Sequence, residues 1–349
     1  MVESPPQPAG EAPHRPDLSR KRLVLPTLLS LFVAALLTYF FVTHFEIDLD
    51  RVWKTLRGVR PGYYLLAIAL YYLTFPIRGL RWRLLLESSG AYKGQRRPSI
   101  LEHSQFILMN WLINAVALFR LGDAYRAYDV DRRHHTNFSR TIGTILAERV
   151  MDVATIFPLL LLSGLGLLHG DTSGAAKVVI AIAAGLALAT GLVIWALWRF
   201  GRSVSRRLPT RINALYDRFY EGAVMSLKHL PLLLLLSTAA WLLEAGRLYF
   251  VIIALDLHVS LGVVLFAALA YSILTTIPFT PGGLGIVESG LTGVLVLVLD
   301  KHSATTVTLL DRSITYLSII AIGGLLFVVR YLVHRRKRAH EREAAVVSF

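Results

Sequence analysis

The chain reads Ile277-Pro278-Phe279-Thr280-Pro281-Gly282-Gly283-Leu284-Gly285 in the middle of an apolar stretch, Leu261 to Leu299. Helix cannot run cheaply through this segment. Proline removes a backbone donor and clashes with the preceding turn, and each interior glycine costs about 1 kcal/mol relative to alanine. The two flanking halves hold about 16 residues each, short of the roughly 20 that cross a bilayer as helix. The stretch is therefore predicted to be a hairpin of two short helices, and whether it is re-entrant or fully spanning stays open. Irregular backbone at membrane depth is tolerated only where protein or a water-filled cavity surrounds it. This turn thus marks an interior.

The rest of the chain has the same character. Of its 349 residues, 54% are AVILMFWYC and 17% are charged, against about 25% charged in soluble domains. Apolar runs of bilayer length occur at Leu23–Val42, Tyr63 towards Leu86, Ile142–Leu168, Val178–Trp198, Pro231–Leu255 and Val307–Val333. Ile100–Phe119 is apolar too, but it carries Glu102, His103, Asn110 and Asn114 and has basic loops on both sides, so it reads as a second hairpin. The expected fold is an all-α polytopic membrane protein with six spanning helices and two helical hairpins. Leu23–Val42 is too long for a signal h-region and no small-x-small cleavage site follows it, so it is expected to stay as an anchor.

The net charge of +14 sets the expected topology. Basic clusters lie at Arg20–Arg22, Arg78–Arg97, Arg199–Lys228 and Arg330–Glu343. Lysine and arginine collect on the cytoplasmic side, which puts all four clusters, and both termini, inside at the plasma membrane. Residues 1–22 read as a disordered cytoplasmic segment, 23–333 as a single membrane domain and 334–349 as a basic tail. Pro209–Leu227 has apolar residues at helical spacing among basic ones, as in a helix lying on anionic lipid. Trp53, Leu56 and Val59 suggest a shorter one outside. The absence of cysteine excludes disulfides, thiol catalysis and cysteine-bound metal.

The order span, span, hairpin, span occurs twice, over 23–168 and 178–333, and the second half starts from the opposite side. Polar residues recur in step. The second span of each half carries Gly79-Leu80-Arg81-Trp82 or Gly246-Arg247-Leu248-Tyr249. Each hairpin carries Phe, Gly and an acid: Phe119, Gly122 and Asp123, then Phe279, Gly282 and Glu288. The last span of each half carries Glu148-Arg149 or Asp311-Arg312. An inverted-topology repeat with broken helices is the build of secondary transporters, whose site lies near midplane between the repeats.

Four of these elements resemble the flippase-like membrane domain family, also described as the transmembrane region of lysylphosphatidylglycerol synthase. They are Arg78-Gly79-Leu80-Arg81-Trp82-Arg83, Arg120-Leu121-Gly122-Asp123-Ala124-Tyr125-Arg126, Glu148-Arg149-Val150-Met151-Asp152, and Pro281-Gly282-Gly283-Leu284-Gly285-Ile286-Val287-Glu288. The resemblance covers about Leu23 to Val333. Leu118, where relatives often have proline, and Asp123, where glutamate is common, depart from the pattern. The resemblance implies a lipid-handling membrane protein. In larger relatives the domain moves aminoacylated phospholipid made by a soluble domain. Only a short tail follows Val333 here, so the expectation is a stand-alone translocator, or one whose synthase or glycosyltransferase is a separate polypeptide.

An ionisable group in the bilayer core costs at least about 2.5–3.5 kcal/mol, which makes it a functional candidate. Arg81, Arg149, Arg247 and Arg312 suit phosphate through the planar fork of guanidinium donors. Glu148, Asp152, Glu244, Glu288 and Asp311 could pair with them or take a cationic headgroup. Trp82, Arg120, Gly122, Asp123 and Arg126 join the candidates from the quoted motifs. Pro281, Gly282, Gly283 and Gly285 could present free N–H groups at a half-helix N-terminus, where anions are favoured. Structural readings stand beside these. Arg78, Arg81 and Arg83 would snorkel to the interface, Glu148 and Asp152 would form an internal salt bridge with Arg149, and His134-His135 would be solvated.

No P-loop, zinc-protease or nucleophile-elbow motif occurs. The expected function is translocation of an anionic or zwitterionic phospholipid, or a polyprenyl-phosphate-linked lipid, between leaflets by alternating access. The expected partners are membrane lipids with anionic headgroups, with no nucleic acid, no cofactor and no metal. Two alternatives remain from the residues: an intramembrane enzyme acting on a lipid headgroup, and a non-catalytic partner of a separate lipid synthase.

Overall fold

A computed structural model describes residues 57–94, 96–117, 119–168, 209–276 and 280–330, with isolated positions at 54, 332 and within 181–199. The expected span Leu23–Val42, most of Val178–Trp198, both terminal segments, Trp53, Leu56, Leu118 and Phe279 lie outside the described residues.

Nine α-helices are described: α1 (Pro61–Ser88), α2 (Ile100–Val116), α3 (Leu121–His134), α4 (Phe138–Leu168), α5 (Thr210–Met225), α6 (Leu230–Ala254), α7 (Leu261–Leu274), α8 (Ile286–Leu295) and α9 (Lys301–Arg312). No strand occurs among the described residues. A short 3-10 turn, Ser226–His229, joins α5 to α6. From α9 the helix continues to Arg330 through two π-helical turns, Ser313–Leu317 and Ile319–Gly323. Among the described residues, three helices, Pro61–Ser88, Ile212–Ala254 and Lys301–Arg330, are long and apolar enough to cross a membrane. Leu65, Leu235, Leu261 and Leu325 project outward and exposed, a surface suited to hydrocarbon.

Local chemistry explains the helix ends. Pro61 opens α1, where its missing N–H costs nothing. The Ser99 hydroxyl accepts from the Glu102 backbone N–H at 3.1 Å and caps α2. Asp300 caps α9. Pro76 and Pro158 lie inside α1 and α4, as membrane helices tolerate when neighbours satisfy the freed backbone groups.

The core is built around an antiparallel pair, α1 and α6. The Arg60 N–H at the start of α1 donates to the Ala254 carbonyl at the end of α6, at 2.8 Å. The other side of α1 clasps the π-helical segment. Tyr64 and Tyr72 share hydrogen bonds with Ser313 and Ser318 at 2.7 and 2.8 Å, and the Tyr71 hydroxyl donates to the Thr315 carbonyl. Tyr71, Trp82, Phe106, Phe266 and Leu291 fill the interior between these elements.

Both expected breaks are present, and one hairpin differs in its bounds. Ile100–Phe119 is not a complete hairpin. It supplies one arm, α2, and the chain reverses through Phe119 and Arg120 into a second arm, α3, across the stretch expected to be a basic loop. The reason is that Arg126 and Asp129 of α3 are buried and ion-paired instead of solvated. Gly122 lets the arms touch, since a Cβ there would lie 2.2 Å from the Asn110 carbonyl oxygen. Its N–H donates to Asn114 Oδ1 at 2.9 Å, and Asn110 Nδ2 donates to Asp123 Oδ1 at 2.9 Å. The asparagines that interrupt the apolar run thus stitch this hairpin. The second hairpin turns at Pro281–Gly283, where Gly282 and Gly283 both have positive φ. Along Pro209–Leu227, α5 buries Ala223 and leaves Ile212 and Leu215 exposed.

Candidate functional site

Arg81 of α1 organises the first ionic cluster. Its guanidinium donates to Asp152 Oδ1 and Ser237 Oγ, both at 2.7 Å, and to Glu148 Oε1 at 2.9 Å. The 148/152 spacing puts both carboxylates on one face of α4. Glu148 also accepts from Arg126 of α3 at 2.8 Å, whose guanidinium lies 4.4 Å above the Trp82 ring. Arg149 reaches Asp152 at 3.3 Å and Asp123 at 3.5 Å.

A second cluster forms from the other half of the chain. Arg247 of α6 pairs with Asp311 of α9 and with Glu244 at 3.2 Å. Arg78 of α1 also reaches Glu244, at 3.3 Å. Arg312 donates to Glu288 Oε1 at 2.6 Å and to the Gly282 carbonyl at 3.0 Å. Buried charges persist only when paired and hydrogen-bonded, and these helices meet where their charges do.

Between the clusters lies a cavity of about 340 Å³. Arg78, Arg120, Arg149 and Arg312 line it, together with Glu148, Asp152 and Glu244. Its walls include Tyr71, Trp111, Trp241, Tyr271 and Tyr316. Gly282 and Gly283 reach it from the second hairpin. Arg81, Trp82, Gly122, Asp123, Arg126, Arg247, Pro281, Gly285, Glu288 and Asp311 stand behind this lining and hold it.

Three expectations change. Arg78 and Arg81 do not snorkel; both are buried, because carboxylates from α4 and α6 meet them inside. The N-terminus of α8 is not an open anion site. Glu288 folds back to accept the Gly285 N–H at 2.6 Å, so the chain's own carboxylate occupies it. His134 is not simply solvated, since its Nε2 lies 2.9 Å from Glu102 Oε1. The aromatic wall was missed. Trp111 and Trp241 sit in apolar runs and look like ordinary core. Their pairing with an intramembrane arginine appears only in the fold, where the Arg78 guanidinium lies 5.3 and 4.6 Å from the two rings.

Sequence comparison adds to this geometry. The family described as lysylphosphatidylglycerol synthase TM region matches residues 27–323. A UPF0104 membrane protein of Methanocaldococcus jannaschii, MJ1078, is 32% identical over 64% of this chain and 94% of its own length. A UPF0104 membrane protein of Methanothermobacter thermautotrophicus is 25% identical over 77% of this chain and 85% of its own length. The glycosyltransferase AglD of Haloferax volcanii is 24% identical over 89% of this chain, and the match spans 55% of that protein.

Proposed function

The chain belongs to the lysylphosphatidylglycerol synthase transmembrane region family, and from that premise we propose that it translocates a phosphate-bearing lipid between leaflets. The observation that carries this reading is the cavity, in which four arginines and three carboxylates face one space walled by aromatic rings. Guanidinium groups in a low-dielectric site bind phosphate oxygens through charge-assisted hydrogen bonds. The headgroup would sit there while its acyl chains stay in the bilayer.

The proposed movement is alternating access of two inverted halves, within six spanning helices and two hairpins. The ion pairs support it, because their pattern repeats. Arg81 of α1 meets Glu148 of α4, as Arg247 of α6 meets Asp311 of α9. Asp123 of the first hairpin meets Arg149, as Glu288 of the second meets Arg312. The antiparallel arrangement of α1 and α6 agrees with inversion. We place the protein in the plasma membrane with both termini cytoplasmic, as the basic clusters suggest, and assign it no catalytic step. A relative named a glycosyltransferase supports a partnership with a separate synthase or transferase.

Reconstitution into liposomes tests the proposal. Transfer of a leaflet-labelled anionic lipid above the protein-free rate supports it. Folded, reconstituted protein that gives no transfer of anionic or zwitterionic lipids contradicts it.

A further inference from the structure

The charges lining the cavity are not equally available. Each of its carboxylates is already held by two arginines. Glu148 accepts from Arg81 and Arg126, at 2.9 and 2.8 Å. Asp152 is engaged by Arg81 and Arg149, at 2.7 and 3.3 Å. Glu244 lies between Arg78 and Arg247, at 3.3 and 3.2 Å. A cationic headgroup would have to displace a buried arginine from a carboxylate, leaving that arginine uncompensated in a low-dielectric interior.

Arg120 differs from the other lining arginines. Among the described residues no carboxylate is in ion-pair contact with it, and its guanidinium donates to the Thr275 carbonyl at 2.7 Å. It is held in place by the hairpin turn, where Phe119 and Arg120 both take left-handed backbone conformations, with φ of 58° and 50°. Non-glycine residues adopt these only when the surroundings impose them. The bond to Thr275, next to the end of α7, links the first hairpin to the second across the cavity.

Two neutral groups add to the same preference. Trp241 and Thr280 line the cavity, are 7% and 4% exposed, and carry a buried indole N–H and hydroxyl with no hydrogen-bond partner among the described residues. Indole N–H is a donor only. Buried polar groups without partners are uncommon and call for an explanation; an acceptor-rich ligand supplies one.

We infer that the cavity is an anion-selective headgroup site in which Arg120 takes the uncompensated negative charge of a phosphate, with the Trp241 N–H and Thr280 hydroxyl as further donors. It selects lipids of net negative headgroup charge over zwitterionic and amine-bearing ones. The choice of a lipid as the source of the phosphate rests on the translocator reading above.

Titration calorimetry of the full chain in a neutral maltoside detergent tests this. The probes are dioctanoyl phosphatidylglycerol, its lysyl ester, dioctanoyl phosphatidylcholine and inorganic phosphate. We expect phosphatidylglycerol to bind at least about tenfold more tightly than the choline and lysyl lipids, the range that one charge-assisted contact supplies. Arg120→Gln should bring phosphatidylglycerol down to the affinity of the choline lipid, and Arg120→Lys should keep a preference. Trp241→Phe keeps the ring and loses the donor, and should weaken phosphatidylglycerol alone. If Arg120→Gln does not fold, the wild-type ranking and Trp241→Phe decide. Equal or tighter binding of the lysyl or choline lipid overturns the inference, as does a preference that survives Arg120→Gln or no binding of any lipid. Inorganic phosphate binding as tightly as phosphatidylglycerol overturns the lipid assignment. Selective binding without transfer in liposomes would contradict translocation and leave the recognition site standing. Transfer without headgroup preference would do the reverse.

Discussion

Arg81 of α1 and Glu148 of α4 meet at 2.9 Å, with side chains 1% and 3% exposed. Neither residue is near the other in sequence, and neither could sit alone in a membrane interior. The pair fixes how α1 and α4 approach, and Asp152 and Ser237 complete the ligation of the same guanidinium.

Removing Arg81 should therefore cost more than removing a surface ion pair. Arg81→Leu leaves Glu148 and Asp152 facing fewer cations, and loss of one partner from a buried pair costs about 3–5 kcal/mol. We expect a lower midpoint in thermal denaturation of the detergent-solubilised protein. Adding Asp152→Asn alone should recover part of the loss, since Arg126 and Arg149 then face Glu148 and Asp123 and the cluster is balanced again. A double variant no more stable than Arg81→Leu would argue against uncompensated charge as the cause.

Gly122 tests the first hairpin. Gly122→Ala drives a methyl into the Asn110 carbonyl at 2.2 Å and should destabilise by about 1–3 kcal/mol, the usual cost of overpacking. Gly62 has nothing within 4 Å of the equivalent Cβ position. Gly62→Ala should therefore stay within about 0.5 kcal/mol of the parent. Matched thermal denaturation curves for the two variants would refute the close contact.

Glu288 has two roles that substitution can separate. One oxygen accepts the Gly285 N–H and the other accepts from Arg312. Glu288→Gln keeps an acceptor for the helix cap and removes the charge that neutralises Arg312. Glu288→Ala removes both. The alanine variant should be less stable than the glutamine variant by about 1 kcal/mol, the typical value of an N-terminal cap. Equal denaturation midpoints would mean that the cap contributes nothing measurable.

Asp300 gives a pH prediction outside the spanning helices. The Ser303 hydroxyl, then the backbone N–H groups of Ser303 and His302, hold its carboxyl below the usual carboxylate value. A depressed carboxylate stabilises the fold above its unfolded pKa, and the contribution is lost as pH falls through the lower folded value. Asp300→Ala should thus be less stable than the parent by about 1 kcal/mol at neutral pH. The difference should shrink as pH falls below the ordinary aspartate range. Denaturation midpoints measured across that range check the sign, and a gap that widens on acidification would refute it.

Much of this arrangement was legible in the sequence because membrane burial filters polar residues strongly. Arg81, Glu148 and Asp152, or Arg247 and Asp311, stand out in apolar runs, where the sequence leaves pairing, a ligand role and snorkelling of Arg81 open, and the structure shows the pairing. The prolines and glycines of 277–285 marked the second hairpin for a similar reason, since helix cannot pass through them. What stayed hidden depended on tertiary pairing. α3 lies in a stretch expected to be a basic loop, because the partners that bury Arg126 and Asp129, Glu148 and Arg133, meet them only in the fold. Glu288 looked available for a ligand because its backbone partner, Gly285, is evident only once the chain turns. Trp241 carries no sequence mark distinguishing a cavity wall from core, and its donor without a partner emerges only in three dimensions.

The most direct measurement is transbilayer transfer of a leaflet-labelled anionic lipid by the reconstituted protein, compared with Arg149→Ala at equal protein content. Arg149 lines the cavity with its side chain 36% exposed, so its loss alters the headgroup space more than the buried frame. We expect wild-type protein to transfer lipid above the vesicle background, and Arg149→Ala to reduce that rate at least about tenfold, the loss of one charge-assisted contact. Wild-type transfer that Arg149→Ala leaves unchanged, with the variant folded and present at the same level, would contradict the assignment of this cavity as the translocation site.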